Sequence, residues 1–186
     1  FVQANLDHNV PFQTASFDLI CSYNTFEHLR YPERLFSELD RISKPGATIY
    51  LHFGPLYASP WGLHAHRTLH IPYVQFLFTP CLIDRKLMQY GIEDLGKKQD
   101  ALQPLNQWRL KQFTELWDHV NFEVIYQGIG ADLTHLHLAK EYPQAFQGLD
   151  LSVEDLVSNS IEVMLRKRNS SKVRAFSTAI IEEPVP

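Results

Sequence analysis

Residues 17–53 read FDLICSYNTFEHLRYPERLFSELDRISKPGATIYLHF, and this stretch decides the fold class. Phe17–Tyr23 is a short, nearly continuous apolar run, as expected of a parallel strand buried on both faces. Tyr31–Ser43 sets Leu35, Phe36, Leu39 and Ile42 at helical spacing with charges between them. Pro32 suits the first turn, where its missing N–H has no partner to lose. Lys44-Pro45-Gly46 reads as the stop, and Ala47–Phe53 as the next strand. Strand, helix and strand with short joints make one βαβ unit, so the chain is expected to be α/β with a right-handed crossover.

Downstream the rhythm breaks. From Gly54 to about Asn106 prolines and aromatics are frequent and no clean period runs through. A long irregular segment is usually functional, which marks 54–106 as a lid or binding insertion. Short helices are expected within it around Tyr73–Phe78 and Ile83–Tyr90. Regularity returns with a helix at Trp108–Val120, a strand at Phe122–Gln127 and a helix at Leu133–Glu141. A short helical piece follows at Val153–Ser158, and a last strand at Ser160–Arg166 carries Ile161, Val163 and Leu165 on one side. Residues 1–168 are read as the domain and 169–186 as a tail.

Composition narrows the class. Seventeen basic and twenty-one acidic residues in 186 give −4, a balance that does not advertise nucleic acid or an anionic membrane. The most apolar stretch, Ile71–Ile83, is broken by Pro72, Gln75 and Pro80 and falls short of the ~20 residues that cross a bilayer. No membrane span is therefore expected. Two cysteines, Cys21 and Cys81, cannot make a disulfide framework and suit a reducing compartment, so the expected location is the cytoplasm. The chain opens on Phe1-Val2-Gln3, which reads as the end of a strand. Residues upstream of Phe1 are expected.

Val10-Pro11-Phe12-Gln13-Thr14-Ala15-Ser16-Phe17-Asp18-Leu19-Ile20 resembles the middle section of class I S-adenosylmethionine-dependent methyltransferases of the type 11 kind. The resemblance continues through Asn24-Thr25-Phe26-Glu27-His28-Leu29 and Pro32-Glu33. It runs on through Glu38–Gly46 and the strand Thr48–His52, covering about 50 residues at several separated points. It implies a Rossmann-like fold with a mostly parallel sheet and helices on both faces. The family's glycine-rich loop and the acidic residue of its second strand would precede Phe1, so the N-terminal strands are absent from this chain. Without them an apolar sheet edge would be exposed, and the chain alone is expected to fold poorly. Ala47 stands where the family often has a second glycine.

The resemblance also implies a cofactor and its site. S-adenosylmethionine would meet Asn5 (or, with a different gap, Asp7) at the adenine amino group, and Leu6 at the ring. Ser22, Tyr23 and Asn24 would line its methionine portion. An ordinary strand-end turn and a polar strand-to-helix joint would read the same way. His28 is expected to cover the pocket or serve as general base, and His64 in the insertion to steer a proton. The Glu27-His28 pair holds a metal in some family branches, but two adjacent residues are too few ligands.

Other readings stay open. His66 and His70 are four apart, yet Arg67 follows the first histidine where a zinc-protease motif needs glutamate. No metal is expected, and surface histidines remain an ordinary explanation. Trp61, Tyr73, Phe76, Phe78 and Leu82 suit an apolar or aromatic acceptor, a lid packing on the core, or a dimer contact. Gly128-Ile129-Gly130 lacks the third glycine of a dinucleotide loop, Leu133 standing in its place, and reads as an ordinary loop. The function expected is methyl transfer to a small molecule. The alternative is a non-catalytic interaction domain that keeps only the later half of the fold.

Overall fold

The structure, a computed structural model, describes residues 3–4, 6, 10–94, 97–118 and 121–169. Strand β1, Phe17–Tyr23, lies parallel beside β2, Ser43–Phe53, paired from Leu19 with Thr48 to Tyr23 with His52. Between them α1, Pro32–Ile42, carries its proline in the first turn and buries Leu35, Phe36, Leu39 and Ile42. The expected stop is part of β2. Phe17 pairs with Ser43 and Leu19 with Thr48, so Lys44–Ala47 bulges out of the ladder. Pro45 has no N–H to give a neighbour, and Gly46 takes a positive φ of 79°, both of which favour a bulge.

The remaining elements in chain order are α2, Val74–Leu77; α3, Pro80–Tyr90; β3, Ile92–Asp94; β4, Lys97–Gln99; α4, Leu110–Asp118; β5, Phe122–Ala131; α5, His137–Glu141; α6, Pro143–Phe146; α7, Val153–Val157; and β6, Ser158–Lys167. A reciprocal cap starts α7: the Asp155 N–H donates to Ser152 Oγ, and the Ser152 N–H donates to the Asp155 carboxylate. Strands β3 and β4 pair antiparallel within the 54–106 segment.

The main sheet runs β1-β2-β6-β5. The α/β class is as expected, with two corrections of detail. Only β1 and β2 are parallel, since β6 runs antiparallel to both of its neighbours. Alternating hydrophobicity says which face a strand buries and is silent on its direction. Secondly, the cover lies on one face among the described residues. Ile49, Leu51, Phe53, Ile161, Val163 and Leu165 point into the core with α1 and with Leu110, Phe113 and Trp117 of α4. On the opposite face Tyr50, His52, Glu162 and Met164 are half-buried, and Tyr23 is 61% exposed. Leu19 on β1 is 60% exposed.

Phe36, fully buried, sits at the centre of the core with the rings of Phe26, Trp117 and Phe122 at 6.4, 6.2 and 5.3 Å. The Trp117 indole N–H donates to Gln127 Oε1 at 2.9 Å, which satisfies its one polar atom. The 54–106 segment builds a second apolar cluster from Ala65, Leu69, Val74, Ile83 and Leu87.

Gly128-Ile129-Gly130 corrects the loop reading: it continues β5, with Gly128 opposite Glu162 and Gly130 opposite Ser160. A Cβ at Gly128 would stand 2.5 Å from the Tyr126 hydroxyl, the far end of a side chain that is 49% exposed. The glycine there is a strand residue. Among the described residues no helix is long and apolar enough to cross a membrane. Cys21 and Cys81 are free and exposed.

Candidate functional site

The ends of β1 and β2 meet at the edge where open α/β sheets place ligands. Asn24 turns the chain away from β1 with a left-handed φ of 48°, and its N–H donates to His52 O at 2.8 Å. Asparagine is among the few residues that adopt this conformation at low cost. Ser22 is half-buried beside it, whereas Tyr23 and Asn24 present exposed side chains. The Tyr23 ring stands 5.5 Å from Tyr50 and 6.1 Å from His52. Leu6 packs in part against the main core. Asn5 and Asp7 lie outside the described residues, as does the chain from residue 170.

A single 3-10 turn, Phe26–His28, follows Asn24 and holds the histidine and its acidic neighbour. His28 Nδ1 lies 2.9 Å from Pro104 O. A carbonyl only accepts, so Nδ1 carries the proton and Nε2 is left as the basic nitrogen of the neutral ring. His64 comes from the insertion, held at a left-handed φ of 59° with Nε2 donating to Pro55 O at 2.8 Å. The two rings, thirty-six positions apart in sequence, meet edge to face at 5.0 Å. His28 and His64 are thus brought together.

Glu27 is the feature that sequence reasoning touched only as a neighbour of His28. It is 2% exposed, with Oε1 accepting the Gly54 N–H at 3.2 Å and Oε2 without a partner. Burial pushes its carboxyl above the usual carboxylate range, while nearby N–H groups and the imidazoles of His28 and His52 pull it back down. Its main-chain carbonyl accepts the Asn106 N–H at 3.0 Å, and the Asn106 amide donates to Phe26 O at 2.6 Å. Both ends of the 54–106 segment are therefore fastened to this one turn. No sequence signal marks a glutamate in a polar-looking turn as buried.

Gly54 has to be glycine. Its φ is 144°, and a Cβ there would lie 2.9 Å from Ser160 Cα and closer still to Asn159 O. Gly54→Ala is expected to cost about 1–3 kcal/mol through strain and overpacking. Urea unfolding checks this, and a variant as stable as the parent would show that the β2 end adjusts freely.

The other insertion histidines sit elsewhere. His66 lies against the Trp61 ring at 6.2 Å, and His135 meets the same ring at 5.2 Å. Residues 65–69 form turns rather than a regular helix, so the four-residue spacing of His66 and His70 gives no common helical face. Among the described residues no three His, Cys, Asp or Glu side chains are grouped to hold a metal ion.

No curated protein matches the chain. Solved structures similar to it include the [4+2]-cyclase SpnF, at 13% identity over 91% of this chain and 56% of that one, with a TM-score of 0.47. An S-adenosylmethionine-dependent methyltransferase from Methanosarcina mazei matches at 17% identity over 90% and 66%, TM-score 0.45. A third, described as a putative methyltransferase from Bacillus halodurans, matches at 15% identity over 89% and 70%, TM-score 0.47. The chain thus spans less than two-thirds of the first two. The methyltransferase domain family matches residues 1–51, the stretch that holds β1, the Phe26–His28 turn, α1 and most of β2. Over those residues, about a quarter of the chain, it is similar to the methyltransferase domain family.

Proposed function

We propose that this chain forms the later part of an S-adenosylmethionine-dependent methyltransferase of the cytoplasm that acts on a small molecule. The observation that carries the reading is the joined C-terminal edge of β1 and β2, with the His28–His64 contact directly beside it. In this reading Ser22, Tyr23 and Asn24 hold the methionine portion of the cofactor, and Asn5 and Leu6 the adenine. The open, polar turn at Asn24 fits such a group, because its side chain and that of Tyr23 are free of the core. When bound, the cofactor supplies a sulfonium methyl group that is already a good donor. The chain's own task is then to position the acceptor, exclude water and take up a proton where the acceptor has one to lose. His28 and His64 are the groups for the last task. The 54–106 segment, with Trp61, Phe76 and Phe78, covers an apolar or aromatic acceptor, while Tyr73 is fully buried and donates its hydroxyl to Leu156 O.

The reading is tested by calorimetric titration of S-adenosylmethionine into the natural full-length protein. Saturable binding at one site is expected, and no binding across the accessible range overturns it. One observation favours a second reading. The exposed face and edge of β1 suit an interaction domain that another segment completes, in which case no cofactor binds.

A further inference from the structure

Glu27 is the one buried carboxylic acid among the described residues. Its Oε1 is engaged by the Gly54 N–H, while Oε2 is enclosed and has no partner. A bare carboxylate oxygen out of water is costly, and a proton or a facing positive charge offsets that cost. The groups that supply one are two imidazoles, His28 from the same turn and His52 from the end of β2. His28 is the better placed, with Nε2 at 3.9 Å from Oε1. Because Pro104 O fixes its proton on Nδ1, the nitrogen facing Glu27 is the basic one.

We propose that Glu27 is the positioning residue of this site: its carboxylate balances the imidazolium of His28, so that the Glu27–His28 pair, and not His28 alone, receives the acceptor's proton. This rests on the assignment of His28 given above. In the step, an acceptor O–H or N–H bond breaks and its bonding pair stays on the heteroatom. A new N–H bond forms from the Nε2 lone pair, and the positive charge of the ring faces the negative charge of Glu27. The pair gains one proton, and no oxidant or reductant is needed. If Glu27 were only a clasp for the Gly54 N–H, the His28 ring would titrate alike in Glu27→Gln, whose amide oxygen still accepts that N–H.

That difference is measurable without turnover. In natural full-length protein labelled with glutamate carrying 13C at the carboxyl carbon, the Glu27 signal is followed from about pH 4 to about pH 9, which spans ordinary carboxylate and imidazole titration. The His28 ring signals are recorded in the same samples. The expected result is a step in the Glu27 signal that coincides with titration of the His28 ring and disappears in His28→Asn, whose side-chain amide keeps a donor for Pro104 O. A step due to His52 would persist in His28→Asn and vanish in His52→Asn. The proposal is overturned if no Glu27 step tracks His28, if that step survives His28→Asn, or if the His28 ring titrates alike in Glu27→Gln. Should His28→Asn not fold, the coincidence of the two signals in the unaltered protein decides. A protein that binds no S-adenosylmethionine would remove the functional reading and leave this result standing.

Discussion

On the proposed function, replacing His28 with alanine is expected to lower methyl transfer about 10²–10⁴-fold, the usual contribution of a positioned acid–base side chain. The fall should appear in the chemical step, seen in single-turnover experiments, with S-adenosylmethionine affinity little changed. The argument starts from hydrogen bonds. Pro104 O commits Nδ1 of His28 and Pro55 O commits Nε2 of His64, so Nε2 is the basic nitrogen of the neutral His28 ring. Glu27 Oε1 stands 3.9 Å from Nε2 of His28, which is why His28 is the ring to test. Substitution of His64, whose ring meets that of His28 at 5.0 Å, should slow the same step. A His28→Ala variant within about twofold of the parent rate would remove His28 from the chemistry. The effect should be large only for acceptors that must lose a proton before or during transfer.

Phe36→Ala is expected to destabilise the fold by about 3–5 kcal/mol, the cost of emptying a fully buried aromatic site. Phe36 has no exposed surface and touches aromatic rings from the Phe26–His28 turn, from α4 and from β5. Collapse into the gap would require several large, rigid rings to move together, so little of the cost should be recovered. Equilibrium unfolding in urea gives the number. A loss below about 1 kcal/mol would mean that the core repacks around the cavity. The same substitution reaches the functional edge, since Phe26 immediately precedes Glu27.

Some of this was open to reading before any coordinates. The periodic residues of α1 stand out because they bury one consistent surface. The apolar run of β1 does mark a strand, but the expected burial on both faces is wrong: no residue of β1 is fully buried, since the strand is an edge of the sheet. The short helices α2 and α3 within the insertion were likewise visible in outline. The β3–β4 pair was not, because Ile92-Glu93-Asp94 and Lys97-Lys98-Gln99 are polar and show no alternation. Gly128 and Gly130 misled for a different reason. Glycine in sequence signals a turn, but here both glycines pair within the β5–β6 ladder. At the site, the approach of His64 to His28 depends on how the insertion folds back, which local pattern does not encode. Glu27 is harder still, because its burial is imposed by Gly54 from one side and Asn106 from the other.

Those two contacts have a wider meaning. The segment that leaves at Gly54 returns at Asn106, and both ends are tied to a single glutamate, one to its side chain and one to its main chain. An excursion closed in this way behaves as a cassette. Lengthening such a closed loop costs only about 0.6 kcal/mol for each doubling, so its content can change while the register of the sheet stays fixed. Evolution or an engineer could exchange the stretches of it that do not touch the site. What has to be kept is a glycine, an asparagine and the glutamate that holds them both, together with His64 and the carbonyls of Pro55 and Pro104 that hold the two imidazoles.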